Sequence, residues 1–459
     1  MKGLINWLII AAIGFVLMAF SYFNYQYDPG SNPWKDAFMY IGEGQPHSEV
    51  EGVEYVTRPV RLLPMTTRVE YFVQIVHNFG SHVEKSYRVS FQEKVILYSD
   101  MAVDFTDQML EWGRLPLAGA DEVVAGFNVT GKEKVTIKER PFKVVGQFKK
   151  EVGLFGDSYL IQDDDTAREL FNPDDEAVQQ AHILRLPKKQ LSDSQMSEQL
   201  TKLFPKSEFA IYYPMIRTQP GAFFLYIAGI SLLFLGGCLV FLKLYCLLAE
   251  KLGNKLLLGP LAEIRNYKHL FLVLHLIYFG TIVLLMLAAY YLPELQFSLL
   301  SGIRSQVVDD GSGPLAVAGK AYMSKNILRA AVTTFAINFL LGSLAVITLP
   351  SVILPGVSVL VVGIRALLWG LLLAPSYVNL SGMMLAHSFT LLLEGHAYVI
   401  ATFFSLLILV YLFRKAEGPG PARRYGKALL LNVKGNLLVA IVLAIAAIYE
   451  AIEVILAMT

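Results

Sequence analysis

The sequence predicts a polytopic α-helical membrane protein of about seven transmembrane helices, with an α+β extracytoplasmic domain between the first helix and the second. Three observations predict it. Of the 459 residues, 54% are hydrophobic and 17% charged, and the apolar residues come in blocks too long for soluble helices. Those blocks fall at residues 4–23 and beyond 221. Between them lies a polar island whose apolar residues alternate as in strands. The resulting organisation is an anchor at 1–23, an extracytoplasmic domain at 24–220, two membrane helices with a basic loop at 221–292, and a helical membrane domain at 293–459.

The first block, LINWLIIAAIGFVLMAFSYF after Lys2, has the charge and length of a signal sequence. It runs on into Ser21, Tyr22, Phe23 and Asn24 without a small-x-small cleavage site, so it reads as an uncleaved anchor. Inside the island, VEYFVQIVHNF, KVTIKER and FKVVGQF read as strands. LSDSQMSEQLTKLF reads as a helix between strand-like AHILRLP and EFAIYY, a closing β-α-β segment. The acidic run Asp163 to Asp165 has the oxygen ligands of a calcium loop but not the EF-hand spacing. Asp165, ahead of Thr-Ala-Arg-Glu-Leu-Phe, reads more simply as a helix N-cap. Asn128-Val129-Thr130 matches a glycosylation sequon, a pattern short enough to arise by chance. The island has no cysteine, because Cys238 and Cys246 both belong to the second apolar block, and so it has no disulfide framework or thiolate metal site.

At about 20 apolar residues per crossing, the remaining spans fall at 223–247, 270–292, 327–349, 354–374, 383–413 and 435–457. Pro350 and Pro355 in LPSVILP break the helix between two of them, and the long span at 383–413 has room to tilt or break near Gly395. Lys251, Lys255, Arg265 and Lys268 occupy one short loop, and Arg414, Lys415, Arg423, Arg424 and Lys427 another. Basic residues mark cytoplasmic loops, which puts the N-terminus inside and both the island and the C-terminus outside. Membrane lipid is therefore the first partner. A net charge of +1, without a basic stripe interleaved with aromatics, argues against nucleic acid.

EWGRLPLAGADEVVAGFNVTGKEKVTIKERPFKVVGQFKK, from Glu111, resembles the periplasmic core domain of MacB/FtsX-type ABC permeases. In that family a GR.P..GA.EVV.G stretch precedes a G..V.I....F.VVG strand pair. The resemblance spans residues 50–215 with the helices on either side, and implies a non-enzymatic domain that transmits motion or contacts envelope partners. Residues 295–459 resemble a second family, the stage II sporulation protein M integral membrane proteins. KNILRAAVTTFAINFLLGSLAVITLP, HSFTLLLEGHAYVIATFF and a last helix ending AIYEAIEVILAM carry this resemblance, with Asn326, Glu394 and Glu450 at the matching positions. It implies a scaffold for envelope-remodelling complexes, placed in a bacterial cytoplasmic (inner) membrane.

A charge at the bilayer centre costs about 2.5–3.5 kcal/mol, so Glu394 needs a partner inside the protein. Arg365 and Glu394 each stand about eleven residues into neighbouring antiparallel spans, at similar depth, and are expected to pair. His387 lies seven residues before Glu394 on one helix face, and Glu450 and Glu453 lie three apart on another. With His396 these residues make a candidate polar seam, read either as a hydrogen-bonded pin that sets helix register or as a proton or ion path. His275, alone among Leu and Ile, reads as a hydrogen-bonded interface residue, and Lys243 snorkels.

Signatures of enzymes are absent: no phosphate-binding Gly-x-x-x-x-Gly-Lys loop, no His-Glu-x-x-His helix and no Gly-x-Ser-x-Gly elbow. Glu394-Gly395-His396 cannot form a zinc pair, since neighbours two apart point about 200° apart on a helix. No cofactor is expected. The expected role is a non-catalytic membrane subunit of a cell-envelope complex, a permease or mechanotransmission component whose ABC-type ATPase is a separate chain. Lys251, Lys255, Glu263, Arg265 and Lys268 would dock that ATPase, or else simply fix topology. A scaffold that recruits a cell-wall enzyme or assembles into a homo-oligomer is the alternative, and an ion or proton channel is a third.

Overall fold

The structure is a computed structural model that describes residues 2–24, 37–41, 56–65, 93–99, 101–129, 133–172, 174–185, 210–212, 217–251, 255–292, 295–296, 298–300, 303, 313–413 and 420–457. Six helices among these are long and apolar enough to cross a membrane, so the chain is a membrane protein with an inserted sheet domain. The first is α1 (Lys2–Asn24).

Ten strands follow among the described residues: β1 (Ala37–Ile41), β2 (Val56–Pro64), β3 (Lys94–Tyr98), β4 (Leu110–Gly113), β5 (Glu122–Ala125), β6 (Lys134–Ile137), β7 (Arg140–Phe148), β8 (Ser158–Gln162), β9 (Gln179–Arg185) and β10 (Ala210–Tyr212). They form one mixed sheet in the order β10-β1-β9-β2-β3-β8-β5-β7-β4, with β6 on β7. Strand β3 explains why the sheet is covered on both faces. Its residues KVILY are all buried, with Ile96 and Tyr98 packing among Phe105, Phe148 and Phe155 on one face, and Val95 and Leu97 among Tyr159, Ile161 and Phe171 on the other.

The segment from Gly113 to Gly126, which carried part of the permease resemblance, is the connection from β4 to β5 together with β5 itself. Gly113 has φ +81 and its backbone lies against Val145, Arg114 grips Glu122 through two hydrogen bonds of 2.7 and 2.5 Å, and a Cβ on Gly126 would strike the Phe155 carbonyl. KVTIKER and FKVVGQF form β6 and β7 as expected, whereas VEYFVQIVHNF and the LSDSQMSEQLTKLF helix lie outside the described residues. AHILRLP and EFAIYY supply β9 and β10, but these strands do not pair with each other. Both pair with β1, which lies between them. Helix α2 (Asp165–Leu170) is capped by Asp164, whose side chain accepts from the Ala167 N–H, and not by Asp165 as the sequence suggested. The N-cap sits one residue earlier, and Asp163 is held by Arg168 at 2.6 Å.

Beyond the sheet run α3 (Pro220–Lys251), α4 (Lys255–Asn266), α5 (Lys268–Tyr291), α6 (Gly313–Met323), α7 (Ile327–Ile353), α8 (Val357–Leu372), α9 (Val378–Phe413) and α10 (Pro421–Ala457). The apolar α8, at 16 residues, is shorter than the six long apolar helices, so the seventh expected crossing is a shorter helix. Helix α1 packs along α3 at backbone contact: a Cβ on Gly14 would lie 2.5 Å from the Gly229 carbonyl oxygen, and one on Gly236 would strike Ala11. Small residues let two apolar helices approach this closely where the hydrophobic effect offers no drive. Helix α9 is the most enclosed span, set among α5, α7, α8 and α10. The starts of α1, α5 and α10 and the end of α3 share the end of the bundle opposite the sheet, with α4 packed there on α3 and α10.

The sheet is bonded to the bundle at the entry to α3. The Arg217 N–H donates to the Asn128 side chain in the loop after β5. Its guanidinium donates to the Tyr290 carbonyl at the end of α5 and lies 4.6 Å from the Tyr290 ring centroid. Next to it, the Thr218 N–H donates to the Ser376 carbonyl just before α9 at 2.9 Å. Asn128, the sequon residue, is thus part of this joint.

Two outcomes follow. Replacing Gly14 by Leu is expected to separate α1 from α3 and to lower the yield of monodisperse protein severalfold in size-exclusion chromatography. In the sheet, burial lowers the Lys94 ammonium to about 8 and raises the Asp157 carboxyl to about 6, each partly offset by the other's charge. Between pH 8 and the ordinary 10.5 the unfolded chain binds the extra proton at Lys94, so stability rises with pH there. Between 3.8 and 6 the folded chain binds it at Asp157, so stability falls as pH rises. The melting midpoint should climb from pH 8 to 10, and Lys94→Met should flatten that climb.

Candidate functional site

Glu394 stands in the middle of α9, sixteen residues from Val378 and nineteen from Phe413, and is buried. Its first partner comes from α7, where Asn338 Nδ2 donates to Glu394 Oε1. Asn338 belongs to Ile337–Thr348, a stretch wound as π-helix inside α7. Such widened turns occur frequently at functional sites. A second partner is the Glu450 carboxyl of α10, which is hydrogen-bonded to that of Glu394 and to the Tyr322 hydroxyl of α6. Tyr322 also lies 2.8 Å from Thr334 Oγ1. A phenol has one proton to give, so Thr334 donates to Tyr322 and Tyr322 donates to Glu450.

One turn toward the sheet end of α9, Thr390 donates to Glu453 at 3.0 Å and His387 Nδ1 lies 3.3 Å from the same carboxyl. The structure therefore places His387, Glu394, Glu450 and Glu453 along one α9–α10 interface. Register explains the set: His387, Thr390 and Glu394 stand at i, i+3 and i+7, facing Glu450 and Glu453 at i and i+3 of an antiparallel helix.

Arg365 is brought to the same region, but not into a direct ion pair with Glu394. Its guanidinium donates to the Gly342 carbonyl at 3.3 Å and lies 3.8 Å over the Tyr398 ring. The reason is register. Tyr398 stands one turn beyond Glu394 on α9, and the guanidinium of Arg365 reaches that turn and not the carboxyl. Gly342 makes the room, because a Cβ there would lie 3.2 Å from both terminal guanidinium nitrogens.

His396 leaves the seam altogether. Two residues from Glu394, it points to the other side of α9 and joins a chain of buried groups. Tyr245 Oη is 2.8 Å from His396 Nε2, His396 Nδ1 is 2.7 Å from His275 Nε2, and His275 Nδ1 is 2.7 Å from the Phe271 carbonyl. A carbonyl only accepts, so His275 carries its proton on Nδ1 and accepts at Nε2. His396 must then donate from Nδ1 and accept from the Tyr245 hydroxyl at Nε2. Every ring nitrogen is satisfied with both imidazoles neutral. Phe241 stacks on His396 with 3.9 Å between ring centroids.

The basic loop is mostly helix. Lys251 ends α3, Lys255 opens α4 and Lys268 opens α5, while Leu261 and Ile264 of α4 are buried and Glu263 is half-buried. Arg265 and Lys268 are exposed.

Sequence reading missed Asn338, Tyr322, Tyr398 and Tyr245. An Asn inside an apolar helix was a usable signal, whereas tyrosines are too common in such helices to stand out. No group of three His, Cys, Asp or Glu side chains among the described residues is placed to hold a metal ion. Compared with known proteins, the chain matches no family model, no curated protein and no solved structure.

Truncating Arg365 to Met is expected to destabilise the bundle by about 3–5 kcal/mol, because the negative charge of the carboxyl pair loses its nearest cation in a dry site. Thermal unfolding in detergent reads this out. Swapping the charges, Arg365→Glu with Glu394→Arg, should give no rescue, since the two side chains contact different partners.

Proposed function

We propose that the chain is a non-enzymatic integral-membrane subunit of a bacterial cell-envelope complex, a permease or mechanotransmission component that works with a separate ABC-type ATPase. The observation that carries this reading is the mechanical continuity from sheet to bundle. Arg217 and Thr218 tie the loop after β5, the end of α5 and the start of α9 to the entry of α3. Helix α3 then leads to α4, which lies at the far end with its apolar face buried and Arg265 exposed. A displacement of the sheet is thereby felt at the amphipathic segment on the opposite face, and the reverse. The resemblance of residues 50–215 to the MacB/FtsX-type core domain supports the same reading, and that of residues 295–459 to the stage II sporulation protein M family supports membership of an envelope complex.

Lys2, Lys251, Arg265, Lys268, Arg423, Arg424 and Lys427 all gather at the bundle end away from the sheet. This asymmetry supports an inner-membrane protein with that end in the cytoplasm and the sheet domain outside.

Affinity purification of the full chain from detergent is expected to recover a stoichiometric ATPase whose retention depends on nucleotide. Arg265→Glu with Lys268→Glu should reduce that recovery at least tenfold while leaving the monomer's elution unchanged. Recovery of cell-wall enzymes without an ATPase would instead support the scaffold reading.

A further inference from the structure

Two carboxylates have no donor between them, so the hydrogen bond joining Glu394 to Glu450 requires a proton. Its surroundings set the number. A pair with one proton carries one negative charge, and the Arg365 guanidinium of α8 supplies one positive charge beside it. The remaining hydrogen-bond partners are neutral donors, Asn338 of α7 to Glu394 and Tyr322 of α6 to Glu450, and the His387–Glu453 pair acts on Glu450 from the sheet-domain side. Two further phenol hydroxyls, Tyr278 of α5 and Tyr398 of α9, are buried without a protein partner for their oxygens and interact electrostatically with Glu394 and Arg365. Polar groups left this way inside a bundle mark a place where small, hydrogen-bonding species are received.

The cluster is also one-sided. Toward the sheet end, Thr390, His387 and Glu453 continue the row of hydrogen-bonding groups along the α9–α10 interface. In the other direction the interface closes where the Phe404 ring lies against Gly435, at 2.3 Å from where a Cβ would stand. The donor set suits a proton better than a metal ion, as no three acidic, His or Cys groups among the described residues converge.

We propose that Glu394 and Glu450 form an intramembrane proton-binding site, which holds one proton between α9 and α10 and exchanges it from the sheet-domain end through His387 and Glu453. Loss of that proton leaves two buried carboxylates facing one cation, which drives the two helices apart at this level. Proton occupancy therefore sets the α9–α10 contact and, through Asn338, the π-wound stretch of α7. This site stands independently of the ATPase partnership proposed above.

Infrared spectroscopy of the full chain, labelled with carboxyl-13C glutamate, tests it. Near neutral pH the isotope-shifted carboxylic-acid C=O band should correspond to about one protonated glutamate per chain and move on transfer to heavy water. Glu394→Gln and Glu450→Gln should each abolish the band, and Glu169→Gln, on the surface of α2, should leave it intact. If the Gln variants do not accumulate, Glu450→Asp is expected to shift the band of the shared proton. A parent without the band overturns the proposal, as does a band that survives both Gln variants or is unmoved in Glu450→Asp.

Discussion

A carboxyl group placed midway along an apolar helix has to be answered from within the protein, and much of the bundle is arranged around that demand. Glu394 draws a donor from α7, a second carboxyl from α10 and the field of a guanidinium from α8. Each of these helices is held against α9 by apolar packing as well, but apolar packing in lipid is tolerant of sliding. Hydrocarbon side chains meet hydrocarbon at any register, whereas a hydrogen bond is lost over about an ångström. The polar contacts therefore select one register from among many that would pack.

The same helix carries a second polar system of opposite character on its other face. His396, His275 and Tyr245 form a chain in which each proton has a unique position, ended by a backbone carbonyl and closed over by Phe241 and Phe271. No charge is needed anywhere in it. The carboxyl pair needs one proton to be joined by a hydrogen bond and could hold either one more or one fewer, and so it is inherently an ionisable group. Side by side on α9, a saturated neutral chain fixes α3 and α5 while an ionisable pair governs α10. Rigid and adjustable contacts are thus sorted to opposite faces of one helix.

Much of the architecture was legible because hydrocarbon is an unforgiving solvent. Long apolar blocks, the island between them and the gathering of lysines and arginines on alternate loops are features of composition, and the helices follow them. The seam residues His387, Glu394, Glu450 and Glu453 were legible for the same reason, since charge in such blocks is rare and helical periodicity assigns it to faces. What escaped was register between helices. The expected pairing of Arg365 with Glu394 misplaced one contact by a turn, because α8 and α9 begin a few residues from where hydropathy sets their ends. Sequence also showed nothing of the π-wound stretch, whose residues INFLLGSLAVIT would suit an ordinary helix, or of the strand order that puts β1 between β9 and β10.

That strand order has an architectural consequence. Among the described residues, β1 is the first element after α1 and β10 the last strand before α3, and Met39 pairs directly with Tyr212. The strands by which the chain joins the sheet from α1 and leaves it toward α3 are therefore hydrogen-bonded neighbours, about 5 Å apart. Below, Gly14 and Gly229 let the two helices meet at backbone contact. The domain is thus an insert with adjoining ends, planted on a helical hairpin that is already zipped. Modules of that form can be exchanged as cassettes: a short turn, or an unrelated domain whose termini adjoin, would meet the same pair of helices without asking the bundle beneath to change.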